Sequence, residues 1–374
     1  QKNRAHMRHS RWPLRCTHQR PDRPDIWAKG AMGRKGEMSH PAVELDRVAR
    51  VFTAGAGRRR RSAVAVEELS MCVAPGEVMG LLGPNGAGKS TVIAMISGLI
   101  TPSSGRVLIG GIDAVRSRRQ IAGRVGVVFD RARTLYPRMT ARENIEYFTS
   151  LRGGGRVKSV AGRAAHWIEF LGIGRWADVP VNNLSMGTQQ KVSLAAALAA
   201  GPDVVLMDEP TLGLDVASSL DLQQLVRRMA RDHGCALVIA THQMDVAESV
   251  CDRVCIMSDG RALAIDTVSA LLRVFGRRSY RIALRAPATD ALQAAIVQAG
   301  ARPSLASDVD AARGFVIDLD VDDDAGLPRA LEAIRMAGTE VESVVRREPC
   351  LANVFLEITG TGKGQGADAC CSMA

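Results

Sequence analysis

The chain has 374 residues, 46% hydrophobic and 24% charged, which places it in the ordinary globular range, long enough for two buried cores, and excludes a disordered chain. Its formal charge of +10 would suggest an anionic partner if it were spread over a folded surface. Residues 1–40 hold ten Lys/Arg against three acids, seven of that surplus, so the remainder is close to neutral and no nucleic-acid partner is expected.

Residues 1–41 are rich in Arg, His and Pro, lack apolar periodicity, and read as a basic disordered tail with Met38 as a candidate start. No apolar run reaches the roughly 18 to 20 residues needed to cross a bilayer, so any pore belongs to another polypeptide. The eight cysteines show no metal-like pairing with histidine, and no secretory signal precedes them, which points to a reducing cytoplasm.

From Val43 to about Asp266, short β-rich runs alternate with helical stretches, the pattern of an α/β fold with a mostly parallel sheet. Candidate strands are Val78–Leu82, Arg124–Phe129, Val204–Met207, Ala236–Ala240 and Val254–Met257. The first runs into Gly83, Pro84, Asn85, Gly86, Ala87, Gly88, Lys89, Ser90 and Thr91, a P-loop in the strand-to-helix context that such a loop requires. Successive backbone N–H groups and a helix N-terminus suit phosphate, Lys89 reaches the β and γ phosphates, and the Ser90 hydroxyl ligates Mg²⁺. The apolar run Val204–Met207 ends on Asp208 and Glu209; buried carboxylates need cations or strong hydrogen bonds, so Asp208 is assigned to Mg²⁺ and Glu209 to the general base for water.

These two elements alone leave kinase, GTPase and helicase open. Leu184-Ser185-Met186-Gly187-Thr188-Gln189-Gln190-Lys191 opens a helix and resembles the LSGGQ signature of ATP-binding cassette (ABC) ATPases. Gly213-Leu214-Asp215 is similar to that family's D-loop, and Thr241-His242 to its switch histidine. Residues 43–266 thus resemble the ABC ATPases.

The resemblance implies the P-loop NTPase fold of an ABC nucleotide-binding domain with antiparallel β and helical subdomains, and a head-to-tail homodimer enclosing ATP and Mg²⁺. On that pattern Ser185, Gly187 and Gln189 meet the nucleotide of a second copy, Asp215 couples the two sites, and His242 senses the γ-phosphate. Phe52 matches the aromatic on which adenine stacks. Asp130 stands where the family has a γ-phosphate-sensing Gln, and is assigned to Mg²⁺ or its water. Met186 replaces the middle Gly of the signature.

The segment Tyr136–Asn144 and the tail Leu351–Thr359 look like those of bacterial exporters with separately encoded permeases of the ABC-2 type, which implies a motor peripheral on the inner face of the cell membrane. A soluble ABC protein acting on ribosomes or DNA is the alternative. The domain division expected is 42–270 for the nucleotide-binding domain, 278–360 for a small C-terminal α+β domain, and 361–374 for a flexible tail. In that second domain strands are read around Tyr280–Leu284, Ile317–Val321 and Val341–Val345, and helices at Thr289–Gln298 and Leu327–Met336, with an amphipathic turn at Asn353–Thr359. Asp318, Asp320 and Asp322 lack the Gly and Glu of a calcium loop and read as the solvent face of a strand.

Overall fold

The computed structural model describes residues 40–54, 61–129, 134–153, 157–275, 278–285, 290–298, 301–305, 315–321, 325–347 and 349–359. Asp130, residues 1–39 of the tail expected at 1–41, and the tail expected at 361–374 lie outside the described residues. The chain divides into two compact units, Gln1–Ile265 and Asp266–Ala374.

The first unit opens with β1 (Val43–Ala54) and β2 (Arg61–Val73), an antiparallel pair, followed by β3 (Val78–Leu82) and the P-loop helix α1 (Lys89–Ile96). Then come β4 (Ser104–Ile109), β5 (Ile112–Asp113), α2 (Arg118–Ala122) and β6 (Val125–Val128). Three helices follow, α3 (Ala141–Gly153), α4 (Val157–Phe170) and α5 (Met186–Leu198). The unit closes with β7 (Val204–Asp208), α6 (Val216–His233), β8 (Ala236–Thr241), α7 (Met244–Val250), β9 (Arg253–Ser258) and β10 (Arg261–Thr267), whose last residues cross the division.

Strand order in the main sheet is β10-β9-β3-β8-β7-β6, and the pairs from β9 through β6 are parallel. Strands β3 and β8 are buried at every position, which is why they read as unbroken apolar runs. Because β3, β8 and β7 are neighbours, the P-loop, Thr241 and Asp208 leave adjacent carboxyl ends, where open α/β sheets bind ligands. A second, antiparallel sheet, β2-β1-β4-β5, faces the other side of α1. Val92, Ile93, Met95 and Ile96 of α1 share one core with Leu45 and Val66 of that sheet and with Leu81, Val204 and Val238 of the main one. Each such fully buried aliphatic contributes about 1.5–3 kcal/mol, so the helix that carries Lys89 is clamped from both faces.

The turn before α3 explains the Tyr136–Asn144 pattern. Buried Asn144 donates to the carbonyls of Tyr136, Met139 and Thr140 and accepts from the Tyr136 N–H, while Thr140 and Glu143 exchange the two hydrogen bonds of a capping box.

The second unit contains α8 (Val268–Phe275), β11 (Arg278–Leu284), α9 (Asp290–Gln298), β12 (Ala301–Leu305), β13 (Phe315–Val321), α10 (Gly326–Met336), β14 (Val341–Arg347) and α11 (Leu351–Thr359). Its antiparallel sheet runs β12-β13-β11-β14, the βαββαβ order of a ferredoxin-like fold. Ile282, Leu284, Ile317 and Leu319 pack with Leu292, Ile296, Ala330 and Ile334 in its core. One expectation is corrected here: the terminal amphipathic turn is a nine-residue helix. Asp318 alternates with the core residues Ile317 and Leu319, and on that outer strand face it takes a bidentate pair of bonds from Arg281 at 2.9 and 3.0 Å and one from Arg347 at 2.7 Å.

Candidate active site

The loop between β3 and α1 is shaped by glycines that no other residue could replace. Gly88 has φ +99°, and a Cβ there would stand 2.3 Å from the Ala65 carbonyl oxygen; at Gly83 it would stand 2.2 Å from that of Met257. The loop therefore presses against β2 and the end of β9. Lys89 is buried, and its ammonium donates to the carbonyls of Gly83 at 2.7 Å and Pro84 at 3.1 Å. Burial pushes this ammonium below the usual lysine range, and the nearby Glu209 and Asp208 carboxylates pull it back up.

Ser90, one residue into α1, donates to Asp208 Oδ1 at 3.1 Å, so a hydroxyl and a carboxylate from two different elements meet at one point. Glu209 follows Asp208 with φ +47°, a left-handed conformation uncommon for a non-glycine residue. Its N–H donates to Ala240 O at 2.8 Å, its Oε2 accepts from Thr241 Oγ1 at 2.9 Å, its Oε1 lies 2.8 Å from His242 Nδ1, and Lys89 Nζ is 3.9 Å from Oε1. A cavity of about 570 Å³ is lined by residues 85–91, Ala65, Phe129, Asp208 and Glu209. Its donor set fits a triphosphate with a hard divalent cation: backbone N–H groups and a helix N-terminus for the phosphates, one ammonium, and an oxygen pair for the metal. Phe52 pairs with Ala63 across β1 and β2, two residues along β2 from the cavity-lining Ala65, and does not itself line the cavity. Asp130 has no described position, though its neighbour Phe129 lines the cavity.

Ser185, Gly187 and Asp215 are brought to each other but not into that cavity. Ser185 caps α5 by accepting from the Thr188 N–H at 3.3 Å. A Cβ on Gly187 would meet Ser218 Oγ at 2.7 Å, and the Met186 sulfur would lie 3.2 Å from a Cβ on Gly213. Lys191 and Asp221 form an ion pair between α5 and α6. Asp215 caps α6, accepting from Ser218 N at 2.9 Å and Ser218 Oγ at 2.7 Å, and these bonds hold its carboxyl below the usual range. Gln189 departs from its expected part: its amide nitrogen donates to Val181 O at 3.0 Å and Leu184 O at 2.9 Å, bracing the loop before α5 instead of reaching outward. The partnership of Thr241 with Glu209 escaped the sequence reading, although Thr241 stands beside His242 at a strand end.

Residues 66–212 match the sequence profile of the family described as ABC transporter. The chain is 35% identical over 205 residues to ABC transporter ATP-binding protein NatA of Bacillus subtilis (strain 168), covering 55% of this chain and 82% of that protein. It is 36% identical over 225 residues to methionine import ATP-binding protein MetN 2 of Salmonella choleraesuis (strain SC-B67), covering 59% of this chain and 65% of that one. Among solved structures, cbiO1 of Clostridium perfringens, part of the ABC transporter complex cbiONQ, superposes with a TM-score of 0.56 at 26% identity over 63% of this chain and 94% of its own. The ATP-binding cassette MJ0796, a dimer in a post-hydrolysis state bound to ADP and Pi, superposes with a TM-score of 0.54 at 29% identity over 60% of this chain and 98% of its own. Likeness of that extent, on a loop and strand ends shaped for a magnesium-bound triphosphate, leaves one conclusion: the chain belongs to the ABC transporter family, as an ATP-binding and ATP-hydrolysing subunit.

Proposed function

We propose that this chain is the motor of an exporter, in which two copies close on ATP and drive a separately encoded permease of the ABC-2 type. The carboxylate of Glu209, fixed between Thr241 and His242 beside the loop that receives the phosphates, is the observation that carries the hydrolytic half of this reading.

Lys89 leaves the Gly83 and Pro84 carbonyls for the β and γ phosphates, and the loop N–H groups take the remaining phosphate oxygens. Ser90 and Asp208 would hold Mg²⁺, and the resemblance assigns Asp130 to the same ion or its water. When bound, Mg²⁺ neutralises charge on the β and γ phosphates. Glu209 takes the proton of the attacking water while Thr241 holds its other oxygen, and His242 faces the γ-phosphate. Ser185 and Gly187, at a helix N-terminus outside this copy's cavity, serve the nucleotide of the second copy, and Asp215 stands between the two sites. Residues 42–270 form the motor and 278–360 an accessory domain.

Export rests on the likeness of Tyr136–Asn144 and Leu351–Thr359 to exporter motors; the methionine-import names of some relatives make import the competing outcome. No helix among the described residues is long and apolar enough to cross a membrane. The test is capture from detergent-solubilised native membranes with the Glu209→Gln variant and Mg-ATP. A multi-span permease recovered alone, and lost with Lys89→Ala, supports the exporter. Recovery together with an extracytoplasmic solute-binding protein replaces export with import, and recovery of ribosomes or DNA-repair proteins without a membrane protein ends the transport reading.

A further inference from the structure

Arg50 packs on the Phe52 ring. The Arg50 guanidinium carbon lies 4.6 Å from the centroid of the Phe52 ring. Its Nη1 donates to the Thr101 carbonyl at 2.8 Å, and Thr101 follows the end of α1, the helix that begins at Lys89. Its Nε is buried without a hydrogen-bond partner among the described residues. The cation occupies one face of the ring while Phe52 stays 39% exposed, and its strand partner Ala63 is two residues from Ala65, which lines the phosphate cavity.

We propose that Arg50 is a positioning residue for the nucleotide base: its guanidinium holds the Phe52 ring in one orientation from behind and leaves the other face open for a purine. This inference rests on the reading of Phe52 as the base platform. A planar cation on one face restrains the ring before the ligand arrives, so less freedom is lost on binding. Neither Arg50 nor Phe52 lines the phosphate cavity, so the effect is expected on binding of the base and not of the phosphates.

The experiment uses the full chain and compares KM for ATP with the inhibition constant of tripolyphosphate, which has phosphates but no base. Arg50→Met keeps the length of the side chain and removes the cation. The expected result is a rise in KM of about two- to five-fold, the range of an exposed cation–π contact, with kcat and the tripolyphosphate constant unchanged. Arg50→Lys restores most of the affinity. In a Phe52→Ala background the Arg50→Met effect disappears, since the ring transmits it. Equal weakening of ATP and tripolyphosphate, or an Arg50→Met effect that persists without the ring, overturns the proposal and leaves Arg50 as a tie between β1 and Thr101. If Phe52→Ala itself leaves the KM for ATP unaltered, the base-platform reading fails first and takes this inference with it.

Discussion

The backbone of Glu209 lies at φ +47°, a conformation that costs a non-glycine residue of order 1–3 kcal/mol and persists only where its surroundings over-determine it. Three contacts do so: its N–H on Ala240 O, Oε2 on Thr241 and Oε1 on His242. Glu209→Gln keeps the shape and removes the base. Phosphate release should fall by roughly 10²–10⁴-fold while ATP still binds, and a variant that turns over at the parental rate would remove Glu209 from the chemistry. Thr241→Val removes a hydrogen bond to a charged group, and stopped-flow turnover should slow by about ten-fold or more. Lys89, Ser90, Asp208 and Glu209 were legible in the sequence because the P-loop spacing is local and the acids end an apolar run. The Glu209–Thr241 bond was not, since it spans 32 residues and depends on β7 and β8 being neighbours.

At the scale of elements, the P-loop is held by contact with β2. Gly88→Ala would drive a methyl group against the Ala65 carbonyl at a left-handed φ, so nucleotide binding should be lost and the thermal midpoint should drop; an unchanged midpoint would refute this account of the loop. The end of α6 meets α4 through His233, whose ring centroid is 4.8 Å from Trp167, 5.0 Å from Phe170 and 5.9 Å from His166. Burial lowers the pKa of His233 below 6.5, with further depression from His166 and Arg228 against an opposing pull from Asp232. Above pH 6.5 neither the folded nor the unfolded state holds this proton; below it the unfolded chain takes the proton first, so stability falls as pH drops toward the folded value. Urea midpoints between pH 7 and pH 5 should decline less steeply in His233→Phe. An identical slope would assign the acid sensitivity elsewhere. The parallel strands were read within one or two residues because full burial writes them as unbroken apolar runs. Strand β12 escaped notice because Pro303 breaks its pattern, and Pro is tolerated at an edge such as this one.

For the whole molecule, alternation of β and helical patterns announced an α/β unit followed by a smaller α+β unit, but alternation carries no pairing order. The ferredoxin-like sequence of strands in the second unit emerges only from which edges pair, and the Asp318 bridge to Arg281 and Arg347 follows from that order. The first unit holds a phosphate cavity and, outside it, the capped N-terminus of α5, which the proposed function gives to the nucleotide of a second copy. On that proposal a complete site needs a second copy. Light scattering of the full-length Glu209→Gln chain, coupled to gel filtration with and without Mg-ATP, measures this directly. The prediction is a shift from the 40.0 kDa monomer to about twice that mass with Mg-ATP, abolished by Lys89→Ala. A chain that binds ATP and stays at the monomer mass would contradict it.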